Sequence, residues 1–209
     1  SSSADYYARH GHSMAVFSNK LWIIGGQGLN DGGASILLDD CWSSSNGLTW
    51  TQNSSIVSFF PRKLHTSGVV NGRMWVWGGY GEDADSNLGA LNDAWSTADG
   101  EFWRLEASSV AFPARCAAAA TTFNDRIWMI GGANDDPYLF GTTYYNDIWA
   151  SADGMNWVQI LDNSAGSSTQ FSPRVLLGAA TAGTKLFVSG GEKDATTGYE
   201  LSNEVWSTE

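Results

Sequence analysis

Short apolar runs separated by turn-forming residues dominate the chain, and no stretch keeps the period of about 3.6 residues that marks an amphipathic helix. One such run occurs four times and each time ends in two glycines: KLWIIGG at 20–26, RMWVWGG at 73–79, RIWMIGG at 126–132 and KLFVSGG at 185–191. Runs of this length that are rich in aliphatic and aromatic residues predict buried strands. We therefore expect an all-β fold in which each glycine doublet ends a strand.

The recurring runs belong to a tandem repeat. The first glycines of the four doublets are 53, 53 and 59 residues apart, and four other residue series keep nearly the same register. The series are Arg9, Arg62, Arg115 and Arg174; Trp22, Trp75, Trp128 and Phe187; Trp42, Trp95, Trp149 and Trp206; and Trp50, Trp103 and Trp157. Self-similarity at a period of about 50 residues is typical of propellers and other repeat folds.

Each unit divides into four short strand-like segments, which in the second unit are 65–70, 73–79, 92–97 and 102–106. Asn-Gly at 71–72 predicts a hairpin turn between the first two segments. Ala-Asp-Gly at 98–100 supplies turn residues between the last two. The segment CAAAATTF at 116–123 has helix propensity, but it occupies the register of a first strand, so we expect a strand there.

Four antiparallel strands per unit, with small residues in the first, are typical of a propeller blade. Glycine and alanine in the first strand would let neighbouring blades approach closely at the axis. Tryptophans on the later strands would fill the widening space between blades. The pattern therefore predicts successive four-stranded blades that pack face to face through their indoles.

These motifs resemble kelch repeats: an apolar strand ending in Gly-Gly, Asn-Asp-x-Trp after a variable loop, a second Trp eight residues later, and Pro-Arg before the next unit. The resemblance spans Arg9 to Glu209. It implies a kelch-type β-propeller, in a family whose propellers usually have six or seven blades and serve mainly as interaction platforms. A minority of the family are enzymes or sugar-binding proteins, so the resemblance implies the fold more firmly than the function.

The repeat predicts one propeller array over 1–209, with blades at about 9–52, 62–106, 115–160 and 174–209. The fourth unit lacks the last strand that the other three contain, and an open blade edge is a template for pairing. Three explanations remain open: a longer protein, a strand supplied by a neighbouring subunit, or a compact four-bladed ring. We favour the first narrowly over the second.

Composition narrows the range of partners. The 209 residues are 43% hydrophobic, as in a folded globular protein, and the formal net charge is −11. This charge argues against a nucleic-acid partner, because no surplus of Lys and Arg is present to neutralise phosphates. No apolar run reaches the length of about 18 residues needed for a membrane-spanning helix.

Three residues bear on the compartment. Cys41 and Cys116 occupy different positions in their repeats, so we interpret both as packing residues that form neither a disulfide framework nor a zinc site. Asn53 begins the sequon Asn-Ser-Ser and is a candidate N-glycosylation site. The sequon slightly favours an extracellular protein.

The long connections of a propeller lie on one face, here 27–39, 80–91, 133–145 and 192–202, and binding residues concentrate on such loops. They carry acidic and aromatic residues that would suit a basic peptide or a glycan, although a solvated acidic rim is the alternative. The candidate partner-binding residues are Tyr80, Glu82, Asp83, Asp135, Asp136, Tyr138, Tyr144, Tyr145 and Tyr199.

The repeated arginines have two interpretations. They could ring the axial channel and hold an anionic ligand. However, each unit also carries one acidic residue at the start of its third strand, at the same face, which favours repeated structural ion pairs. The two sets are Arg9, Arg62, Arg115 and Arg174, and Asp40, Asp93, Asp147 and Glu204.

No catalytic constellation is visible. The three histidines, His10, His12 and His65, lack clustered carboxylates and make a poor metal site, so we expect neither metal nor cofactor. We predict a non-enzymatic scaffold that presents its long loops to a protein partner. The alternatives are a carbohydrate-binding or mutarotase-like propeller, and a structural subunit that self-associates through the edge of the fourth blade.

Overall fold

The computed structural model describes residues 6–53, 59–139, 141–163, 170–195 and 198–208, with the backbone alone for 194, 195, 198 and 199. In this part of the chain every regular element is a β-strand and no helix is present. The all-β class expected from the periodicity is therefore confirmed.

Sheet 1 is antiparallel and is built from consecutive strands. It contains β1 (Arg9–His10), β2 (Ser13–Phe17), β3 (Lys20–Leu29), β4 (Ser35–Ser44) and β5 (Thr51–Asn53). β1 and β2 pair with successive parts of β3, so together they form one interrupted inner strand. β4 pairs with β3, and β5 forms the outer edge against β4.

Sheets 2 and 3 repeat this layout. Sheet 2 contains β6 (Arg62–Lys63), β7 (Thr66–Val70), β8 (Arg73–Glu82), β9 (Leu88–Thr97) and β10 (Arg104–Ala107). Sheet 3 contains β11 (Ala119–Phe123), β12 (Arg126–Ala133), β13 (Tyr144–Ser151) and β14 (Val158–Leu161). The alanine-rich segment 116–123 thus supplies the inner strand β11, as its register predicted.

The fourth unit forms two smaller sheets. Sheet 4 has the order β16, β17, β20, and a second three-stranded sheet has the order β15, β18, β19. Their bounds are β15 (Arg174–Val175), β16 (Gly178–Ala182), β17 (Lys185–Ser189), β18 (Glu192–Ala195), β19 (Gly198–Leu201) and β20 (Val205–Ser207).

In the first three units the glycine doublet does not end its strand, contrary to the expectation from sequence. β3, β8 and β12 run past the doublets to Leu29, Glu82 and Ala133. In sheet 2 the pairing register shifts between Trp77 and Gly79, so the doublet forms a β-bulge inside a long strand.

The bulge requires glycine for two reasons. Gly78 and Gly79 have φ angles of 56° and 102°, which residues with a Cβ rarely adopt. A Cβ on Gly78 would also lie 2.7 Å from the carbonyl oxygen of Arg115 in the next unit. The doublet therefore permits both the bend and the close approach of the neighbouring sheet.

The continuing strands make the predicted long loops shorter than expected. Most of 80–91 is a hairpin that extends β8 and β9, and only 83–87 form its tip. The corresponding tip is 30–34 in sheet 1, and in sheet 3 the described residues 134–139 and 141–143 connect the two strands. Tyr80 and Glu82, expected in a loop, therefore lie on a strand.

Consecutive sheets pack face to face through apolar clusters. Trp22 and Ile24 of sheet 1 pack with Met74 and Trp103 of sheet 2. Between sheets 2 and 3, the Trp77 indole nitrogen donates to the carbonyl oxygen of Gly154 at 2.8 Å. Indoles thus fill the spaces between sheets, as the repeat predicted.

A ladder of backbone hydrogen bonds joins the sheets beside their inner strands. Leu64 N donates to Gly11 O (2.7 Å), Ala117 N to Leu64 O (2.8 Å), and Leu176 N to Ala117 O (3.0 Å). All four residues have positive φ, between 54° and 63°. One residue with positive φ per unit therefore links each sheet to the next at the same level.

Candidate functional site

Each unit folds around one buried arginine. Arg62 donates from Nε to the carbonyl oxygen of Phe60 (2.9 Å) and from Nη1 to that of Gly78 (2.9 Å). Its Nη1 and Nη2 also bind the two carboxylate oxygens of Asp93 at 2.6 and 2.7 Å. Four donors of the guanidinium are used, and the side chain is completely buried.

The same arrangement recurs in the neighbouring sheets. Arg115 binds both oxygens of Asp147 at 2.7 and 2.8 Å, and Arg9 binds both oxygens of Asp40. The Trp149 indole nitrogen donates to Asp147 at 2.8 Å, which accounts for the tryptophan two residues after the acid in each unit. Since the arginines are buried and paired, this geometry favours structural ion pairs over a ligand-binding ring.

An aromatic ring stacks on each arginine, a feature that the sequence reading missed. The ring belongs to the residue three positions before the arginine, and its centroid lies 5.4–5.8 Å from the guanidinium carbon. These residues are Tyr6, Phe59, Phe112 and Phe171. Their constant offset from the arginines could have revealed them as a further repeat series.

The fourth cluster is more open and includes a lysine. Glu204 accepts from Lys193 at 2.7 Å and from Arg174 at 2.6 Å, and its side chain is 39% exposed. The hydrogen bond from Lys193, followed by that from Arg174, lowers the pKa of Glu204 to about 2. The carboxylate therefore stays charged at any physiological pH.

The long-loop face, defined here as the hairpin tips and the connections at the same end of the strands, carries an excess of negative charge. Its cations all bind acidic residues: Arg9, Arg62, Lys63, Arg115, Arg174 and Lys193. The acids of this face that form no ion pair with another described residue include Asp31, Glu82, Asp83, Asp85, Asp135, Glu192 and Glu200. Asp136 is paired with Lys63 at 2.9 Å.

The predicted partner-binding tyrosines do not share one environment. Tyr138 is 57% exposed, whereas Tyr144 is buried and donates from its hydroxyl to Pro137 O at 3.0 Å. Tyr145 lies under the Arg115 guanidinium at 4.6 Å, and Tyr80 lies beside Lys63. The side chain of Tyr199 lies outside the described residues. Among the described tyrosines of the set, Tyr138 is therefore the one open to a partner.

A pocket of about 400 Å³ opens beside the inner strands on the long-loop face. It is lined by the ladder residues, by three histidines and by apolar side chains, and none of the lining residues is acidic. They are His10, Gly11, His12, Lys63, Leu64, His65, Ala117, Ala118, Tyr138, Leu176 and Leu177. A pocket lined by Lys63, three histidines and apolar side chains, and by no acidic residue, thus lies within the acidic face.

The pocket histidines are not placed as metal ligands. His65 is buried, and desolvation, with Arg62 and His12 adding to it, lowers its pKa to about 3. Its Nε2 lies 2.8 Å from the hydroxyl of Ser13. Burial lowers the pKa of His12 as well. Among the described residues, no group of three or more His, Cys, Asp or Glu could hold a metal ion.

Both cysteines are buried and free. Burial raises the pKa of Cys41 and, with Asp136 and Asp135 nearby, raises that of Cys116 to about 12. Thiols held protonated in this way are poor nucleophiles. Asn53 is half-buried at the end of β5, and its glycosylation stays a prediction. Within the described part of the chain, no helix has the length and apolarity needed to cross a membrane.

The comparisons with known proteins agree with this architecture. A family model, the KLHDC2/KLHL20/DRC7 Kelch-repeats domain, matches residues 11–209. The structure of YjhT is similar, with a TM-score of 0.69 and 18% identity over 88% of this chain and 60% of that one. At this identity the similarity supports the fold alone.

Two curated proteins are distant relatives. The flagellar outer-arm dynein alpha chain of Chlamydomonas reinhardtii is 25% identical over 222 residues, which cover 96% of this chain and 5% of that protein. Beta-scruin of Limulus polyphemus is 26% identical over 191 residues, which cover 88% of this chain and 19% of that protein. The chain thus spans less than a fifth of the length of either relative.

The buried arginine of each unit, the tryptophan that follows its acidic partner, the glycine bulge and the family match over 11–209 all lead to one conclusion. The chain belongs to the Kelch-repeat family, and its fold is that of a kelch-type β-propeller.

Proposed function

We propose that this chain is an interaction scaffold that binds a protein partner through its long-loop face. The observation that carries the proposal is the combination of a pocket of about 400 Å³, part of whose lining is apolar and none of it acidic, with an acidic face whose described cations are all paired. Kelch repeats are also associated with protein binding, which supports the same class of function.

The chemistry of the face indicates the partner. Glu82, the last residue of β8, and Asp85, in the tip of the β8–β9 hairpin, are exposed and would attract lysine or arginine. The pocket beside Tyr138 would take one apolar or aromatic side chain, the type of residue that anchors most interfaces. The fitting partner is a basic segment with one large apolar residue.

A direct test uses a labelled nonapeptide of Lys and Arg around a central Trp, with fluorescence anisotropy as the readout. We expect Glu82→Gln to weaken binding about two- to fivefold, as for one exposed charge pair. Tyr138→Ala should weaken it by more than about fivefold. Glu101→Gln, an exposed change at the opposite end of the strands, is the matched control and should have no effect.

The proposal predicts a second dependence on the peptide itself. Replacing the central Trp by Gly should remove most of the binding, because the pocket would then stay empty. Equal binding of the Trp and Gly peptides, or equal effects of Glu82→Gln and Glu101→Gln, would show that attraction is unspecific and would overturn the proposal.

A carbohydrate-handling function is the second candidate. The exposed ring of Tyr138 beside His10 and His12 is the observation in its favour, since sugars stack on aromatic rings at such pockets. However, none of the pocket-lining residues is a carboxylate that could bind sugar hydroxyls. Binding on a glycan array that is lost with Tyr138→Ala would support this candidate over the peptide partner.

A further inference from the structure

One basic residue per unit lies at the short-turn end of the inner hairpin, opposite the long-loop face. Lys20, Arg73, Arg126 and Lys185 are the first residues of β3, β8, β12 and β17. Each pairs with the last residue of the preceding inner strand. Since the inner strands are neighbours in the order β2, β7, β11 and β16, the four residues follow one another at one end of the sheets. We call this set the cation ring.

Most of the cation ring is free to bind. Lys20, Arg126 and Lys185 are exposed and form no ion pair with any described residue. Arg73 is partly engaged: Nη2 lies 3.4 Å from Glu106, and Nε donates to the hydroxyl of Ser96 at 2.9 Å. Except for Arg104 on the outer strand β10, the other cations of the chain are the paired ones of the long-loop face. Four acids, Asp99, Glu101, Asp125 and Asp153, lie on turns at the same end, and three of them belong to the outer turns. The positive charge of this end is therefore concentrated on the inner hairpins.

An acidic projection lies at the other end. Glu82, the last residue of β8, is followed by Asp83 and Asp85 in the tip of the β8–β9 hairpin. The tip is open to solvent, since residues 84–87 are exposed. Leu88 beside it is 57% exposed. The tip, with Leu88 as its apolar shoulder, therefore offers both charged and apolar contacts to a complementary surface.

We propose that the cation ring of one molecule docks the acidic β8–β9 tip of a second copy, so that the molecules associate head to tail. The short-turn face also offers apolar contact for the shoulder, since Leu48 and Phe102 on its outer turns are 72% and 53% exposed. Such a contact joins different surfaces of identical chains, and it can therefore repeat into a stack.

The salt concentration should affect the net repulsion between two molecules and the attraction between contacting charge pairs differently. At physiological ionic strength the Debye length is about 8 Å, so repulsion between two molecules of charge −11 is largely screened while contacting pairs still attract. At 1 M salt the Debye length falls to about 3 Å, and these exposed pairs weaken. Pairing through the backbone of a strand edge, the alternative route to self-association, lacks this dependence.

The test is sedimentation velocity of the whole chain up to about 1 mM, at 0.15 M and 1 M salt. We expect species heavier than the 22.5 kDa monomer at 0.15 M and the monomer alone at 1 M. Lys20→Glu/Arg126→Glu/Lys185→Glu should lower the association constant at least tenfold. Glu82→Lys/Asp85→Lys should do the same from the other side.

Mixing the two charge-reversed proteins provides the decisive control. In each of these proteins the ring and the tip have charges of the same sign and repel each other. The acidic ring of the first protein and the basic tip of the second attract, so a mixed complex should form. The milder set Lys20→Gln/Arg126→Gln/Lys185→Gln guards against misfolding and should also weaken association. A monomer under all conditions, or association that survives 1 M salt or both reversals, would overturn the proposal.

Discussion

At the scale of single residues, the buried arginine is the repeated structural element of this protein. Arg115 and Asp147 have side chains that are 1% and 3% exposed, and their carboxylate–guanidinium contact is bidentate. Removing one member of such a pair leaves a buried charge without compensation. We therefore expect these arginines to contribute to stability and not to ligand binding.

Asp147→Asn should destabilise the fold by about 3–5 kcal/mol, because the Arg115 charge would remain buried beside a neutral amide. Glu106→Gln is the matched control: its partners Arg73 and Arg104 are 36% and 77% exposed, so the loss should be less than about 1 kcal/mol. Urea unfolding followed by tryptophan fluorescence measures both losses. Equal losses for the two variants would show that burial does not set the energy of the pair.

At the scale of elements, the outer turns of the second and third units pack on the apolar strand of the preceding unit. Gly154, between β13 and β14, lies against the Trp75 ring, and a Cβ there would approach the ring to 2.7 Å. The turn itself is held by Asp153, which accepts from the backbone of Met155 and Asn156 at 2.9 and 2.8 Å. The turn glycine is therefore an interface residue as well as a turn residue.

Comparing Gly154→Ala with Gly47→Ala separates these two roles. Both glycines have positive φ, 84° and 72°, so both alanines carry a backbone strain of about 1–2 kcal/mol. At Gly47 the nearest atom to a Cβ is Leu21 Cδ1 at 3.6 Å, which is ordinary contact. We expect Gly154→Ala to cost about 1–3 kcal/mol more by chemical denaturation; similar values would exclude the packing role.

At the scale of the whole molecule, aromatic contacts hold consecutive sheets together. Trp157 of sheet 3 meets Trp77 of sheet 2 edge-on, with ring centroids 5.4 Å apart, and meets Phe112 at 5.1 Å. Because neighbouring sheets share such clusters, the stability of each sheet depends on the next. Loss of packing at one interface should therefore destabilise both of the sheets that share it.

Trp157→Ala should cost about 3–5 kcal/mol, and amide exchange should speed up in sheets 2 and 3 together. Trp50→Ala is the matched control, because Trp50 holds the same repeat position in sheet 1 but is only half-buried. Faster exchange confined to sheet 3 would contradict coupling between the sheets.

The sequence by itself determined the all-β fold class, the register of the repeated units and the acidic partners of the buried arginines. These features follow from short-range patterns that recur at fixed spacing, so each unit supported the interpretation of the others. The strand at 116–123 shows this best, since register outweighed the helix propensity of its alanines.

Only the tertiary structure decided which residues of the long-loop face are open to a partner. Tyr144 and Tyr138 look equivalent in sequence, yet one is buried and the other exposed, because exposure depends on segments distant in the chain. The glycine bulge that lengthens the strands, and the pocket between inner strands of different units, have the same origin. Contacts between units, and not the pattern within one, create them.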